Sequence, residues 1–193
     1  YKNYSKAQKL YSDGNAIRFL KTHSCFVNRK DFQFTDKNNT LGVIYIVRDP
    51  ISILSSLTND FKQSDQQSSE IILTHQYLGK DSSNHCTTYL GSWKYHYNSW
   101  KTFDKFNRYC LIKYEDIIYD TEKVFIEILK FISRMGKVNF TLEKDKFQNT
   151  LKTCDLNKIN GLELQKNLSP SEEIKHNLEK ELQNEMRELN YLK

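Results

Sequence analysis

The stretch VIYIVRDPISILSS, residues 43–56, decides the predicted fold. Its first five residues, Val43 to Val47, are β-branched or aromatic and predict a buried strand. Asp49 is a favoured helix N-cap and Pro50 suits the first helical position, so we expect a helix with almost no loop before it. At 100° per residue this helix has an apolar face and a polar face. The apolar face comprises Ile53, Leu54, Leu57 and Phe61, and the polar face comprises Ser52, Ser55, Ser56 and Asn59.

Outward from this stretch, short strand patterns alternate with helical ones. Residues 17–20 and 109–113 predict two further buried strands, and apolar periodicity predicts helices at 91–106, after Asp120 and near the C-terminus. The polar segment 64–84 is predicted to be a mobile excursion that could cover a site. The chain has 193 residues and is 38% hydrophobic, which fits one domain spanning residues 1–193. The pattern indicates an α/β fold with a mostly parallel central sheet flanked by helices.

Charged and polar side chains follow the predicted strands. In parallel sheets, ligands bind outside the carboxyl ends of the strands, which is where Lys21, His23, Arg48 and Tyr114 fall. A guanidinium can fork onto an oxyanion, and a helix start offers free N–H groups and partial positive charge. Arg48 and the serine face therefore predict a phosphate site. The alternative is that Arg48 pairs with a surface carboxylate and the serines are only solvated.

Lys21 and His23 lie two residues apart in a segment predicted to be extended, so their side chains point to the same side. A histidine there can accept a proton from a substrate hydroxyl while the lysine stabilises developing negative charge. A structural histidine at a strand end remains the alternative.

The overall composition favours some classes of partner and of location over others. The net charge of +5 is spread along the chain, which suits an anionic small ligand better than a nucleic acid. The four cysteines stand singly, without metal-ligand spacing, and predict a reducing compartment and a cytoplasmic location. The longest apolar run is too short to span a bilayer, so we expect no membrane span.

Four segments in register carry a family resemblance. They are FLKTH (19–23), YIVRDPISILSS (45–56), LGSWKYHYNSW (90–100) and LIKYEDI (111–117). The chain resembles the sulfotransferases that use 3′-phosphoadenosine 5′-phosphosulfate (PAPS), of the cytosolic and bacterial small-molecule type. The similarity runs from residue 17 to about residue 134 and includes the C-terminal helix. It implies a P-loop NTPase-like sulfotransferase fold and transfer without a metal.

The resemblance also implies roles for individual residues. Arg48 and Ser56 match the motif that binds the 3′-phosphate, and Tyr114 matches a residue that contacts the adenine. His23 matches the general base, and Lys21 matches a stabiliser of the transferring sulfuryl group. The expected acceptor is a small molecule or carbohydrate that offers a hydroxyl group, or an amine, and the product nucleotide is 3′-phosphoadenosine 5′-phosphate (PAP). A homodimer is left open.

Two motifs of the family are not found in the sequence. They are the N-terminal phosphosulfate loop and the C-terminal RKGxxGDW loop, so we expect the domain to be incomplete at its N-terminus and near 161–168. One hypothesis is a complete enzyme whose full sequence contains both loops. The alternative is a catalytically degenerate, sulfotransferase-like nucleotide-binding or scaffolding protein. A P-loop kinase relative is less favoured, because the KTH segment and the RDP motif followed by Ser56 fit sulfotransferases.

Overall fold

The computed structural model describes residues 4–11, 17–29, 32–78, 88–139, 143–153 and 170–193. Three parts of the sequence discussed above lie outside the described residues: residues 161–168, near which we expect the domain to be incomplete, the segment 79–84, and two of the four cysteines, Cys86 and Cys154.

Short strands and longer helices alternate through most of the described chain. The strands are β1 (Asn28–Arg29), β2 (Phe32–Gln33), β3 (Val43–Val47), β4 (Gln76–Leu78), β5 (Thr88–Gly91) and β6 (Tyr109–Lys113). The helices are α1 (Tyr4–Tyr11), α2 (Pro50–Phe61), α3 (Asp65–Leu73), α4 (Trp93–Lys101), α5 (Tyr114–Tyr119), α6 (Thr121–Gly136), α7 (Lys144–Thr153), α8 (Glu172–Glu181) and α9 (Gln183–Glu188). A 3₁₀ turn, Thr102–Phe106, follows α4.

Strands β3 and β6 form a parallel pair, with Val43 opposite Tyr109 and Val47 opposite Lys113. The other strand pairs in the described part of the chain, β1 with β2 and β4 with β5, are antiparallel. Both predicted strands of the parallel pair are therefore confirmed, with the predicted bounds. Parallel pairing also brings the carboxyl ends of β3 and β6 to the same edge.

Helices cover both faces of the parallel pair. On one face, Cys110 and Ile112 of β6 pack with Val124 and Phe131 of α6. On the other face, Val47 of β3 forms a core cluster with Tyr97 of α4 and Leu189 near the C-terminus. Alternate strand residues face opposite sides, so each side supplies its own core. The predicted α/β class, with a parallel sheet between helices, is confirmed.

A third core cluster joins α2 and α3 to the C-terminal helices. Its buried members are Leu54, Ile72, Leu178, Leu182 and Met186, which are at most 3% exposed. The predicted apolar stripe of the C-terminal helix is confirmed, although the helix breaks at Leu182 into α8 and α9. The predicted apolar face of α2 is correct except at its end, where Phe61 is 66% exposed.

The strand predicted at 17–20 is wrong. Residues 17–20 have no regular secondary structure, and Phe19 and Leu20 are 68% and 67% exposed. Ile17 lies against the end of α6, where a Cβ atom added to Gly136 would approach its Cδ1 atom to 2.4 Å. Strand preference requires a neighbouring strand to pair with, and these four residues pair with no strand in the part of the chain that is described.

The mobile excursion predicted from residue 64 is also wrong for residues 64–73. Ser64 and Gln67 form a capping box at the start of α3, and each side chain hydrogen-bonds the other residue's backbone N–H. Ser68 and Ser69 are buried, at 0% and 3% exposure, so this polar segment is an ordered helix. Among the described residues, no helix is both long enough and apolar enough to cross a membrane.

Candidate functional site

The parallel register brings two predicted nucleotide-binding residues together. Val47 lies opposite Lys113, so Arg48 and Tyr114 are the next residues along two neighbouring strands. The guanidinium carbon of Arg48 lies 4.7 Å from the centre of the Tyr114 ring. This cation–π contact orients a guanidinium at the carboxyl edge of the sheet, beside an aromatic ring.

The start of α2 is not the free anion site that the sequence suggests. The Asp49 carboxylate accepts hydrogen bonds from the backbone N–H groups of Ile51 and Ser52, at 3.1 and 3.3 Å. The predicted N-cap is thereby confirmed, but the cap places a negative charge where the helix would attract a phosphate. The expectation of free N–H groups at this position is wrong, because the capping carboxylate already occupies two of them.

Ser56, the other residue predicted to bind the 3′-phosphate, lies on the half-buried polar face of α2. Its hydroxyl donates a hydrogen bond to the Asp60 carboxylate, at 3.3 Å, one turn further along the same helix. The Arg48 guanidinium contacts the Tyr114 ring. Among the described residues, no hydrogen bond joins Arg48 to Ser56. A phosphate bound by Ser56 would have to compete with the Asp60 carboxylate.

Glu115 ties the strand ends to the C-terminal segment. One carboxylate oxygen accepts the backbone N–H of Asp49 at 3.0 Å, and the other accepts the Tyr191 hydroxyl at 2.8 Å. Burial and the neighbouring Glu115 carboxylate raise the pKa of Tyr191, so this hydroxyl keeps its proton. Glu115 therefore has a structural role at the edge of the sheet that carries Arg48.

Lys21 and His23, the predicted catalytic residues, lie in an exposed segment without regular secondary structure. The backbone carbonyl of His23 accepts a hydrogen bond from the Nε2 atom of His96, at 3.3 Å. The His23 and Lys21 side chains are accessible from solvent, as a proton acceptor and a charged group acting on a substrate would need to be.

Helix α4 holds the segment that follows His23. The Trp100 indole N–H donates to the Ser24 carbonyl at 3.0 Å, and the Ser99 hydroxyl accepts the Phe26 N–H at 2.9 Å. His96, Ser99 and Trp100 are spaced i, i+3 and i+4, so they share one face of α4. Side chains of one helix thus make hydrogen bonds that a strand ladder would otherwise supply.

The same helix also contacts the Arg48 edge. The indole N–H of Trp93, the first residue of α4, donates to the Arg48 carbonyl at 3.1 Å. Trp93 and His96 are three residues apart, a rise of about 4.5 Å along a helix. Helix α4 therefore sets the spacing between the backbone of the predicted base and the backbone of the predicted phosphate ligand.

Comparison with models of protein families identifies the family of this chain. The family model described as the sulfotransferase domain matches residues 1–189 of the chain. The chain belongs to the sulfotransferase family. A search of curated proteins found no match to the chain.

In this sulfotransferase domain, sequence reasoning missed the supporting residues His96, Ser99 and Trp100. In the segment LGSWKYHYNSW, the apolar periodicity predicts only a helix with an apolar face, and Tyr97 and Trp100 on that face are buried. The i, i+3, i+4 spacing of three side chains that can hydrogen-bond was the available signal. It could have indicated a face of α4 that binds backbone groups of another segment.

Proposed function

We propose that this sulfotransferase transfers a sulfuryl group from PAPS to a hydroxyl group, or an amine, of a small-molecule or carbohydrate acceptor. The observation that carries the proposal is the Arg48–Tyr114 contact at the carboxyl edge of the parallel strands. A guanidinium binds phosphate through paired hydrogen bonds, and an aromatic ring offers a flat surface to a purine. Family membership supports sulfuryl transfer in general.

The residues present fit the donor in part. Arg48 would bind the 3′-phosphate and Tyr114 would contact the adenine, while Ser56 would contribute its hydroxyl after leaving Asp60. The capped start of α2 does not fit an anion, because the Asp49 carboxylate occupies it. When bound, PAPS supplies the sulfuryl group and a phosphate leaving group.

His23 and Lys21 would act on the acceptor side. We assign to His23 the removal of the proton from the acceptor hydroxyl, through an imidazole nitrogen, as that oxygen forms its bond to sulfur. The Lys21 ammonium group would stabilise the negative charge that develops on the transferring group. The exposure of both residues supports these roles, since neither is buried in the core.

A second candidate function is nucleotide binding without catalysis, as in a scaffolding protein. Two carboxylates at the ends of α2, Asp49 at the N-cap and Asp60 in the last turn, favour this alternative. They occupy a helix start and a serine hydroxyl that an anion could otherwise use.

Two measurements on the full-length protein separate these functions. Calorimetry should show that the protein binds PAP with a dissociation constant in roughly the micromolar range. Radiolabelled sulfate transfer from PAPS should then be measured with a phenol, a lipid alcohol and a carbohydrate as acceptors. Binding with transfer supports the proposal, and binding without transfer to any of them favours the scaffolding function. No binding would overturn both.

We also place the protein in a reducing, cytoplasmic compartment. Cys25 and Cys110 are free and buried, and burial raises their thiol pKa to about 12 and about 11. Buried, protonated thiols of this kind act as small apolar core groups. Mass spectrometry after alkylation of the native cellular protein would test this, because a disulfide at either cysteine would contradict it.

A further inference from the structure

His96 connects the predicted base to the parallel sheet. Its Nε2 atom lies 3.3 Å from the His23 carbonyl oxygen, and its Nδ1 atom lies 2.8 Å from the Tyr45 hydroxyl oxygen. The imidazole and phenol rings are inclined at 42°, with their centres 5.5 Å apart. Tyr45 belongs to β3, so this chain of two hydrogen bonds joins the irregular His23 segment to a regular strand.

The direction of both hydrogen bonds follows from their chemistry. A carbonyl oxygen only accepts hydrogen bonds, so Nε2 of His96 carries the ring proton and donates a hydrogen bond to the His23 carbonyl oxygen. Burial lowers the pKa of His96, so the ring is neutral near pH 7 and Nδ1 is an acceptor. Burial also raises the pKa of Tyr45, which keeps the hydroxyl proton that it donates to Nδ1. The Tyr45 hydroxyl therefore donates a hydrogen bond to His96, and His96 donates one to the His23 carbonyl.

The hydrogen bond from His96 to His23 lies at the boundary between an exposed and a buried part of the chain. Residues 18–23 are all exposed, whereas Ser24 and Cys25 are buried. The bonds to Ser24, Cys25 and Phe26 come from Trp100, the Tyr89 carbonyl and Ser99. His96 is the α4 side chain that binds His23 itself, the last residue of the exposed run. A loss of this bond would release the backbone of His23 while the next three residues stay held.

We propose that His96 is a positioning residue, which fixes the backbone of His23 and thereby the place of its imidazole relative to the acceptor. This inference rests on the proposed role of His23 as the base. A displacement of about 1 Å at a reacting group can cost up to about 100-fold in rate, so one backbone bond can matter for turnover. The Arg48–Tyr114 contact does not involve His96 and is fixed by the strand register.

Two substitutions separate the two halves of the His96 ring. In His96→Gln, the side-chain amide NH₂ reaches about as far as Nε2 and can still donate to the His23 carbonyl. In His96→Asn, the shorter amide replaces only Nδ1 and leaves the carbonyl without its donor. We expect His96→Asn to lower kcat by about 5- to 100-fold, since one hydrogen bond contributes about 1 kcal/mol and misplacement can cost more. We expect His96→Gln to keep kcat within about threefold of the wild type, which is under 1 kcal/mol.

The KM for the donor and the PAP dissociation constant should stay unchanged in both variants. His176→Asn, at an exposed histidine on α8, is the matched control. Thermal unfolding of each variant shows whether a loss of kcat comes from unfolding instead. Equal losses of kcat in His96→Asn and His96→Gln, or a parallel rise in the PAP dissociation constant, would overturn the positioning role.

A second measurement is independent of activity. In protein labelled with ¹⁵N at histidine, the His23 backbone amide signal, assigned with a His23→Gln variant, reports the restraint on this segment. We expect His96→Asn to shift and sharpen this signal and His96→Gln to leave it nearly in place. If the wild type transfers no sulfuryl group but this pattern appears, the proposed function fails and the structural coupling stands. If neither variant changes the signal, the coupling itself is wrong.

Discussion

The Arg48 edge and the His23 segment are built in different ways. Arg48 follows a strand that is paired residue for residue with β6, so backbone hydrogen bonds place it next to Tyr114. His23 lies in an exposed, irregular segment, which the side chains of α4 hold at His23 itself and at Ser24. The first arrangement depends on many backbone bonds, and the second depends on a few individual side chains. Single substitutions should therefore affect the His23 segment more than the Arg48 edge.

The largest effect should come from the predicted base. We expect His23→Ala to lower sulfuryl transfer by roughly 100- to 10,000-fold, the range for general base catalysis, and to leave PAP affinity nearly unchanged. Radiolabelled transfer and calorimetry on the same preparation measure both quantities, and His176→Ala is the control. A similar loss of both transfer and PAP affinity would mean that His23 is structural and that the two regions are not separate in function.

The next effect should appear at the Arg48 edge. We expect Arg48→Ala to weaken PAP binding by about 10- to 150-fold, because a hydrogen bond to a charged group contributes about 1.5–3 kcal/mol. The PAP affinity of Arg48→Lys should lie between those of the wild type and Arg48→Ala, since lysine keeps the positive charge but lacks the paired hydrogen-bond donors. Calorimetry measures the change, with the exposed Arg187→Ala as the control. Unchanged affinity in Arg48→Ala would support the alternative, in which Arg48 is not an anion ligand.

One identical substitution can be made in both regions. Trp100→Phe and Trp93→Phe each remove an indole N–H that donates to a backbone carbonyl, at Ser24 and at Arg48 respectively. Trp100 is 5% exposed, so its loss leaves a buried carbonyl unpaired and should lower the free energy of unfolding by about 1–3 kcal/mol.

Trp93→Phe should cost less stability, because the ladder with β6 still holds β3. Trp100→Phe should also lower kcat, and Trp93→Phe should act mainly on PAP affinity. Urea unfolding and steady-state kinetics provide the test. Equal effects of the two substitutions on stability and on both kinetic quantities would refute the difference between the regions.

The smallest effect should come from the carboxylate that competes for Ser56. We expect Asp60→Asn to strengthen PAP binding by up to about fivefold, since exposed charge interactions are worth up to about 1 kcal/mol. The change removes a negative charge next to the predicted phosphate site and weakens the acceptor of the Ser56 hydroxyl. Calorimetry measures it, and Asp145→Asn on α7 is the control. Weaker binding would indicate that Asp60 orients Ser56 for the ligand.

The regular part of the fold could be predicted from local patterns. The strands at 43–47 and 109–113 and the Asp49 cap follow from side-chain types within a few residues, and the structure has all of them. The contact between Arg48 and Tyr114 requires only the parallel register in addition. The prediction failed at residues 17–20, whose strand preference needs a neighbouring strand that the described residues do not provide.

The support of His23 could not be predicted in the same way. Its partners lie 73 to 76 residues away along the chain, and they bind backbone groups, which every residue has. Only the spacing of the three side chains on α4 carries information, and it does not say which segment they hold. The Asp49 carboxylate illustrates a related limit. The sequence predicts both a cap and an anion site at one helix start, and the short-range cap formed at the expense of the anion site.

The Asp49 cap has a practical consequence for crystallography. Sulfate and phosphate are both tetrahedral oxyanions, so an ordered sulfate ion in a crystal grown from ammonium sulfate can mark a phosphate subsite. With its first N–H groups bound to a carboxylate, the start of α2 should stay free of such ions. Density for a sulfate should instead appear beside the Arg48 guanidinium, and anomalous scattering from a selenate soak would locate it unambiguously.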